Sequence, residues 1–266
     1  MESIKKIFTF QNIFFLVSFV ASLAIAIVFS SLMTWMIFLS SIFGILSSIF
    51  ATKGKWLTYV FDILSYAVYI YICLVNMFYG ELILSVVIIV IHVFALIEWK
   101  KNTEEDFVTI NKLKAKEIII SISISLVATA IYATILFFIK SEYPVMNACL
   151  TVVYLLGNYF AYRRSQLQFL GWILYDILFI VIWATTAIGG DYGSIIFLIG
   201  GASELVYGAI GIFSWTKIEK QQQDLSVKTA QVLSKSNPIF DINKKQSKMS
   251  TVAKKNELNN DKKNQA

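Results

Sequence analysis

Between Phe10 and Trp215 the chain presents one apolar run after another, each about the 20 residues that an α-helix needs to cross a hydrocarbon core. Eight such runs can be drawn, at about 10–30, 33–51, 57–76, 81–98, 117–139, 145–162, 168–188 and 193–214. The composition agrees. Of 266 residues 57% are hydrophobic, charged residues make up 15%, and mean hydropathy is +0.68, whereas soluble domains carry about 25% charge. The expected fold is therefore an all-α polytopic membrane protein.

The polar connectors test the count of eight. If the spans alternate in direction, Lys5 and Lys6, Lys53 and Lys55, the lysines from Lys100 to Lys116, Arg163 and Arg164, and the tail lysines all share one side. Of the 23 Lys and Arg residues, Lys140 alone falls on the other. The positive-inside bias makes the basic side cytoplasmic and places both termini there. Ala24-Ile25-Ala26 resembles a signal-peptidase site, but its apolar run continues to Phe29, so an uncleaved first helix is expected, with cleavage as the alternative.

The expected organisation is an N-terminal span over 1–32, a three-helix bundle over 33–100, and a cytoplasmic loop and linker helix over 101–140. A second three-helix bundle follows over 141–216. Residues 217–266, rich in Lys, Gln, Asn and Ser, read as a basic tail that is solvated and disordered, with an amphipathic stretch to about Leu233 or attraction to anionic headgroups as alternatives. Cys73 and Cys149 have no CxxC spacing and His92 is the one histidine, so no metal site and no cofactor are expected.

A repeat underlies the two bundles. FDIL at 61 and YDIL at 175, the Tyr-Gly pairs at 79 and 192, Trp99 and Trp215, and Gly44 and Gly157 recur at separations of 113 to 116 residues. Two three-span units share one orientation when a single span joins them, so the repeat is parallel.

An ionised Asp at mid-membrane costs about 2.5–3.5 kcal/mol on insertion scales, so Asp62 and Asp176 should face a cavity or a partner. Phe169, Trp172, Asp176, Phe179 and Trp183 fall on one helical stripe, as do Tyr59, Asp62, Tyr66, Tyr69 and Asn76. Aromatic faces beside acceptors suit a flat-ringed ligand with hydroxyl groups, and a cationic ring better still. The competing reading of each aromatic is a helix contact. Glu204 with Tyr207 on the last span is a further candidate for the pathway. Asn158 and His92 are further intramembrane candidates, and for His92 a bond to a neighbouring helix weighs equally. The glycines around Glu204 suit close helix packing, within one protomer or between copies in a homo-oligomer.

EWKK at 98, FLGWILYDILFIVIW at 169–183, the Tyr-Gly turns and GAIGIFSW at 208–215 resemble the PnuC family of bacterial vitamin transporters, over about residues 33–217. The resemblance implies a three-plus-one-plus-three fold like that of the SWEET transporters and a substrate site between the bundles. It further implies facilitated uptake of nicotinamide riboside, trapped by phosphorylation, through a bacterial cytoplasmic membrane. Members carry two tryptophans three apart and then Asn or Asp; here Trp172 and Asp176 match, while Phe169 stands at the first position. Carriers of thiamine, riboflavin or deoxyribonucleosides share the pattern. The partners expected are a small vitamin or nucleoside and the lipid bilayer, not nucleic acid. Two other readings stand beside it. An intramembrane aspartyl protease would use Tyr175-Asp176 but lacks a GxGD partner, and a sugar carrier would use the same aromatic stripes.

Overall fold

Each of the eight apolar runs is a helix in the structure, a computed structural model that describes residues 2–75, 79–104, 107–140, 143–190 and 194–236, with backbone alone at 2–9, 79, 80, 186, 230 and 233–236. In chain order they are α1 (Glu2–Val28), α2 (Leu32–Thr52), α3 (Leu57–Val75), α4 (Tyr79–Lys101), α5 (Ala115–Phe138), α6 (Pro144–Tyr162), α7 (Gln168–Ile188) and α8 (Ile195–Ser236). All eight are long and apolar enough to span a membrane, which makes this a multi-pass membrane protein. Asn76 and Asp191, with the Tyr192-Gly193 pair, lie outside the described residues.

The helix ends follow local chemistry. Ser31 caps α2 by accepting the Thr34 amide at 3.0 Å, and Pro144 opens α6, where a missing N–H costs nothing. Gly54, at φ 64°, closes the α2–α3 turn. Between α4 and α5, two short antiparallel strands, β1 (Thr103–Glu104) and β2 (Phe107–Val108), form a hairpin.

The two three-helix units superpose most clearly at their basic turns. In the first, the amides of Gly54, Lys55, Thr58 and Tyr59 bond to the carbonyls of Ala51, Phe50, Lys55 and Trp56. In the second, the amides of Arg164, Ser165, Gln168 and Phe169 bond to Ala161, Phe160, Ser165 and Gln166, each pair 110 residues on. Arg164 adopts φ 56°, the left-handed conformation that Gly54 adopts in the first copy. This register corrects the pairing of FDIL with YDIL. Asp62 corresponds to Trp172, and Asp176 to Tyr66. The two acids stand one helical turn apart, and a four-residue slip escapes notice in sequence because it keeps a residue on the same helix face.

Within the units α2 packs on α3 and α3 on α4, α6 on α7, and α7 on α8 through Gly201, Gly208 and Gly211; α4 meets α6 across the repeat. Helix α5 joins the units and packs on α6, and its remaining surface is apolar and exposed, as lipid requires. Helix α1 is fastened by polar ties in an otherwise apolar surface. Gln11 Nε2 donates to Thr52 Oγ1 at 2.9 Å, the Tyr207 hydroxyl to the Gln11 carbonyl at 2.9 Å, and Ser18 and Ser203 share a bond of 2.9 Å.

The loop between α4 and α5 lies across both basic turns. The Val108 amide donates to Gly54 O at 2.9 Å and the Asn111 amide to Arg164 O at 3.0 Å, equivalent carbonyls of the two copies. Residues up to Lys217 form one compact unit. Beyond it α8 continues to Ser236, so residues 217–236 are helical where the composition suggested disorder.

Candidate functional site

Six helices leave a cavity of about 390 Å³ between the two units, and none of its lining residues comes from α1 or α5. Its wall carries Asp62 from α3, Glu204 from α8, and Glu81 at the exposed start of α4. Glu204 fits because Gly44 faces it: a Cβ there would stand 2.5 Å from Glu204 Oε1. Ser40 and Ser65 stitch α2 to α3 beside it, the Ser65 hydroxyl donating to Ser40 O at 2.9 Å. No Lys or Arg lines the cavity among the described residues.

Aromatic rings form a closed belt around this space. Tyr69 meets Tyr66 at 6.3 Å between centroids, Tyr66 meets Tyr154 at 6.2 Å, and Tyr154 meets Tyr175 at 4.4 Å. The belt continues from Tyr175 to Phe179 at 5.5 Å and from Phe179 to Phe197 at 6.0 Å, and closes on Tyr69 at 6.3 Å. Trp183 lies against Phe197 at 4.4 Å and also faces the cavity.

A second space of about 40 Å³ continues toward the basic turns, sharing Gly44, Asp62, Tyr154, Tyr175 and Glu204 with the first. Its wall includes Phe169, Trp172, Asp176 and Tyr207. Asp176 is 2% exposed. It lies beside Glu204, and with Asp62 in the same wall three carboxylates meet at this small space.

The residues singled out by sequence thus divide. Asp62, Tyr66, Tyr69, Trp183 and Glu204 line the large cavity; Phe169, Trp172, Asp176 and Tyr207 line the small one. His92 and Asn158 line neither. Asn158 Nδ2 donates to Tyr154 O at 2.9 Å, which turns Oδ1 toward His92 and assigns the proton of that 2.8 Å contact to His92 Nε2. His92 Nδ1 then faces Asp62 Oδ2 at 3.8 Å. The pair stands behind Asp62 because a buried imidazole and amide satisfy each other more cheaply than either alone in a cavity wall.

Sequence reasoning passes over Tyr154 and the serines of α2, and names Tyr175 in the protease reading alone. Tyr154 carried a usable signal, four residues before Asn158 on one face. The serines carried none, since hydroxyls in apolar helices commonly bond the preceding turn.

The sequence model of the nicotinamide mononucleotide transporter family matches residues 34–217, which spans α2 to the part of α8 ending at Lys217. The chain belongs to this family. Similar proteins include the nicotinamide riboside transporter PnuC of Neisseria mucosa (strain ATCC 25996 / DSM 4631 / NCTC 10774 / M26), 25% identical over 195 residues, which cover 71% of this chain and 74% of that protein. The nicotinamide riboside transporter PnuC of Haemophilus influenzae (strain ATCC 51907 / DSM 11121 / KW20 / Rd) is 25% identical over 193 residues, 71% and 82% of the two chains. The crystal structure of the vitamin B3 transporter PnuC superposes with a TM-score of 0.68 at 24% identity, covering 80% of this chain and 92% of that one. The three-plus-one-plus-three fold with an added first helix is shared with that structure. Family membership identifies a transporter.

Proposed function

We propose that the chain carries nicotinamide riboside across a bacterial cytoplasmic membrane by facilitated diffusion, with the basic turns on the cytoplasmic side. The observation that carries this reading is the charge of the cavity: three carboxylates, a closed aromatic belt and, among the described residues, no basic side chain. Nicotinamide riboside is a pyridinium cation bearing a ribose. Its ring would lie among the tyrosines and Trp183, held by stacking and cation–π attraction; its hydroxyls would donate to Asp62 and Glu204. A mononucleotide adds a phosphate that the same carboxylates repel, and no guanidinium or ammonium in the cavity wall compensates it. The volume lies within the roughly 300–1,000 Å³ of small-molecule sites. The names borne by the two bacterial relatives support the same substrate.

Facilitation is the part of this proposal that a flux measurement decides. Uptake of labelled riboside into proteoliposomes is expected to reach the external concentration and stop, and to be unchanged by a protonophore. Accumulation above that level, abolished by the protonophore, would replace the uniport reading with proton coupling. Thiamine, also a cation, is the competitor that separates the riboside from other vitamins.

A further inference from the structure

We propose that Trp99 and Trp215 are twin latches that hold the basic end shut, and that transport requires both to release. This rests on the transport reading above but not on the identity of the substrate.

The two indoles stand at equivalent places, near the last turn of α4 and in the corresponding part of α8, and both are 0% exposed. Trp99 Nε1 donates to Ala161 O of the second unit at 2.7 Å. Trp215 Nε1 donates to Ala51 O of the first unit at 2.9 Å. Ala51 and Ala161 are counterparts in the repeated turn, and each carbonyl accepts its indole alongside the Gly54 or Arg164 amide. A buried indole always seeks an acceptor. The repeat sets this bond twice, each time from one unit to the other, so both indoles tie the two units together at this end.

The rings complete the closure. Trp99 and Trp215 meet at 5.5 Å, and each takes one ring edge-on from its own unit: Tyr59 on Trp99 at 5.0 Å and 89°, Phe169 on Trp215 at 5.4 Å and 79°. Tyr59 is 0% and Phe169 1% exposed. The small cavity has Phe169 in its wall and, at about 40 Å³, cannot pass a nucleoside. A solute leaving toward the basic turns would have to part these four rings, and the two cross-unit indole bonds would break with them, beside the Glu98–Arg164 pair at 3.6 Å that also joins the units. In the indole bonds both donors and both acceptors are neutral, a strength that a transport cycle can make and break.

The test reads accessibility, not transport. In a chain with Cys73→Ala and Cys149→Ala, Ser48→Cys places a thiol in the small cavity wall, and a membrane-impermeant thiol reagent is applied from the basic side of oriented vesicles. Trp99→Phe and Trp215→Phe keep a ring and remove the N–H. Each should speed labelling about fivefold, the factor one net hydrogen bond carries, and the double variant more than either. Unchanged labelling rates in the well-folded single variants would overturn the proposal, and these decide the matter if the double variant does not fold. No substrate enters this measurement, so failure to bind nicotinamide riboside would leave its outcome standing.

Discussion

Asp62→Asn and Glu204→Gln should each weaken binding of a cationic nucleoside by about 10- to 100-fold, the range for losing a hydrogen bond to a charged group in a site shielded from water. Both substitutions preserve size, so the cavity keeps its shape and the effect isolates charge. Asp62 faces the large cavity, with His92 Nδ1 3.8 Å from its Oδ2 on the far side. Glu204 has its own slot opposite Gly44. A neutral competitor of similar shape should lose less, since it shares the hydroxyl-to-carboxylate hydrogen bonds but has no ring charge for the acids to attract. Isothermal titration of the purified variants checks this, and equal losses for cationic and neutral ligands would mean that the acids serve structure and not recognition.

The largest effect on folding should come from Gly171→Ala. A Cβ there would stand 2.6 Å from Gly157 Cα and 3.1 Å from Gly157 N. These are backbone atoms of α6, so no rotamer relieves the clash, and α6 and α7 must move apart along their whole crossing. Overpacking of this kind costs about 1–3 kcal/mol, which for a chain of this size lowers the melting temperature by about 2–12 °C. Gly201→Ala is the control. Its Cβ would meet the Phe179 ring at 3.1 Å and an Ile180 side-chain carbon at 3.2 Å, and side chains can give way by the few tenths of an ångström required. Thermal melts followed by size-exclusion in detergent should therefore separate the two glycines. Similar melting for both would show that the α6–α7 crossing is looser than the structure has it.

The spans were legible because lipid imposes a coarse rule, about 20 apolar residues with basic connectors on one side, and the chain obeys it throughout. The faces of α3 and α7 were legible for the same reason: acids and aromatics at spacings of three and four mark the side turned away from lipid. What the pattern could not deliver was register. FDIL and YDIL look like copies, yet the backbone turns place Asp62 against Trp172 and Asp176 against Tyr66. The sequence offers His92 and Asn158 as site candidates, with a bond to a neighbouring helix an equal reading for His92, and nothing in it says that they partner each other. Nor does a Lys- and Gln-rich stretch reveal that α8 runs to Ser236, since good helix formers and solvated tails draw on the same residues.

The proposed function stands or falls on whether the cavity selects a cationic, unphosphorylated nucleoside. Tryptophan fluorescence of the purified chain, titrated with nicotinamide riboside and with its 5′-phosphate under the same conditions, tests it most directly, because Trp172 and Trp183 line the two spaces. Saturable quenching by the riboside, at least about 100-fold weaker for the mononucleotide as expected for a buried phosphate left unpaired, is the predicted result. Equal or tighter binding of the mononucleotide would contradict it.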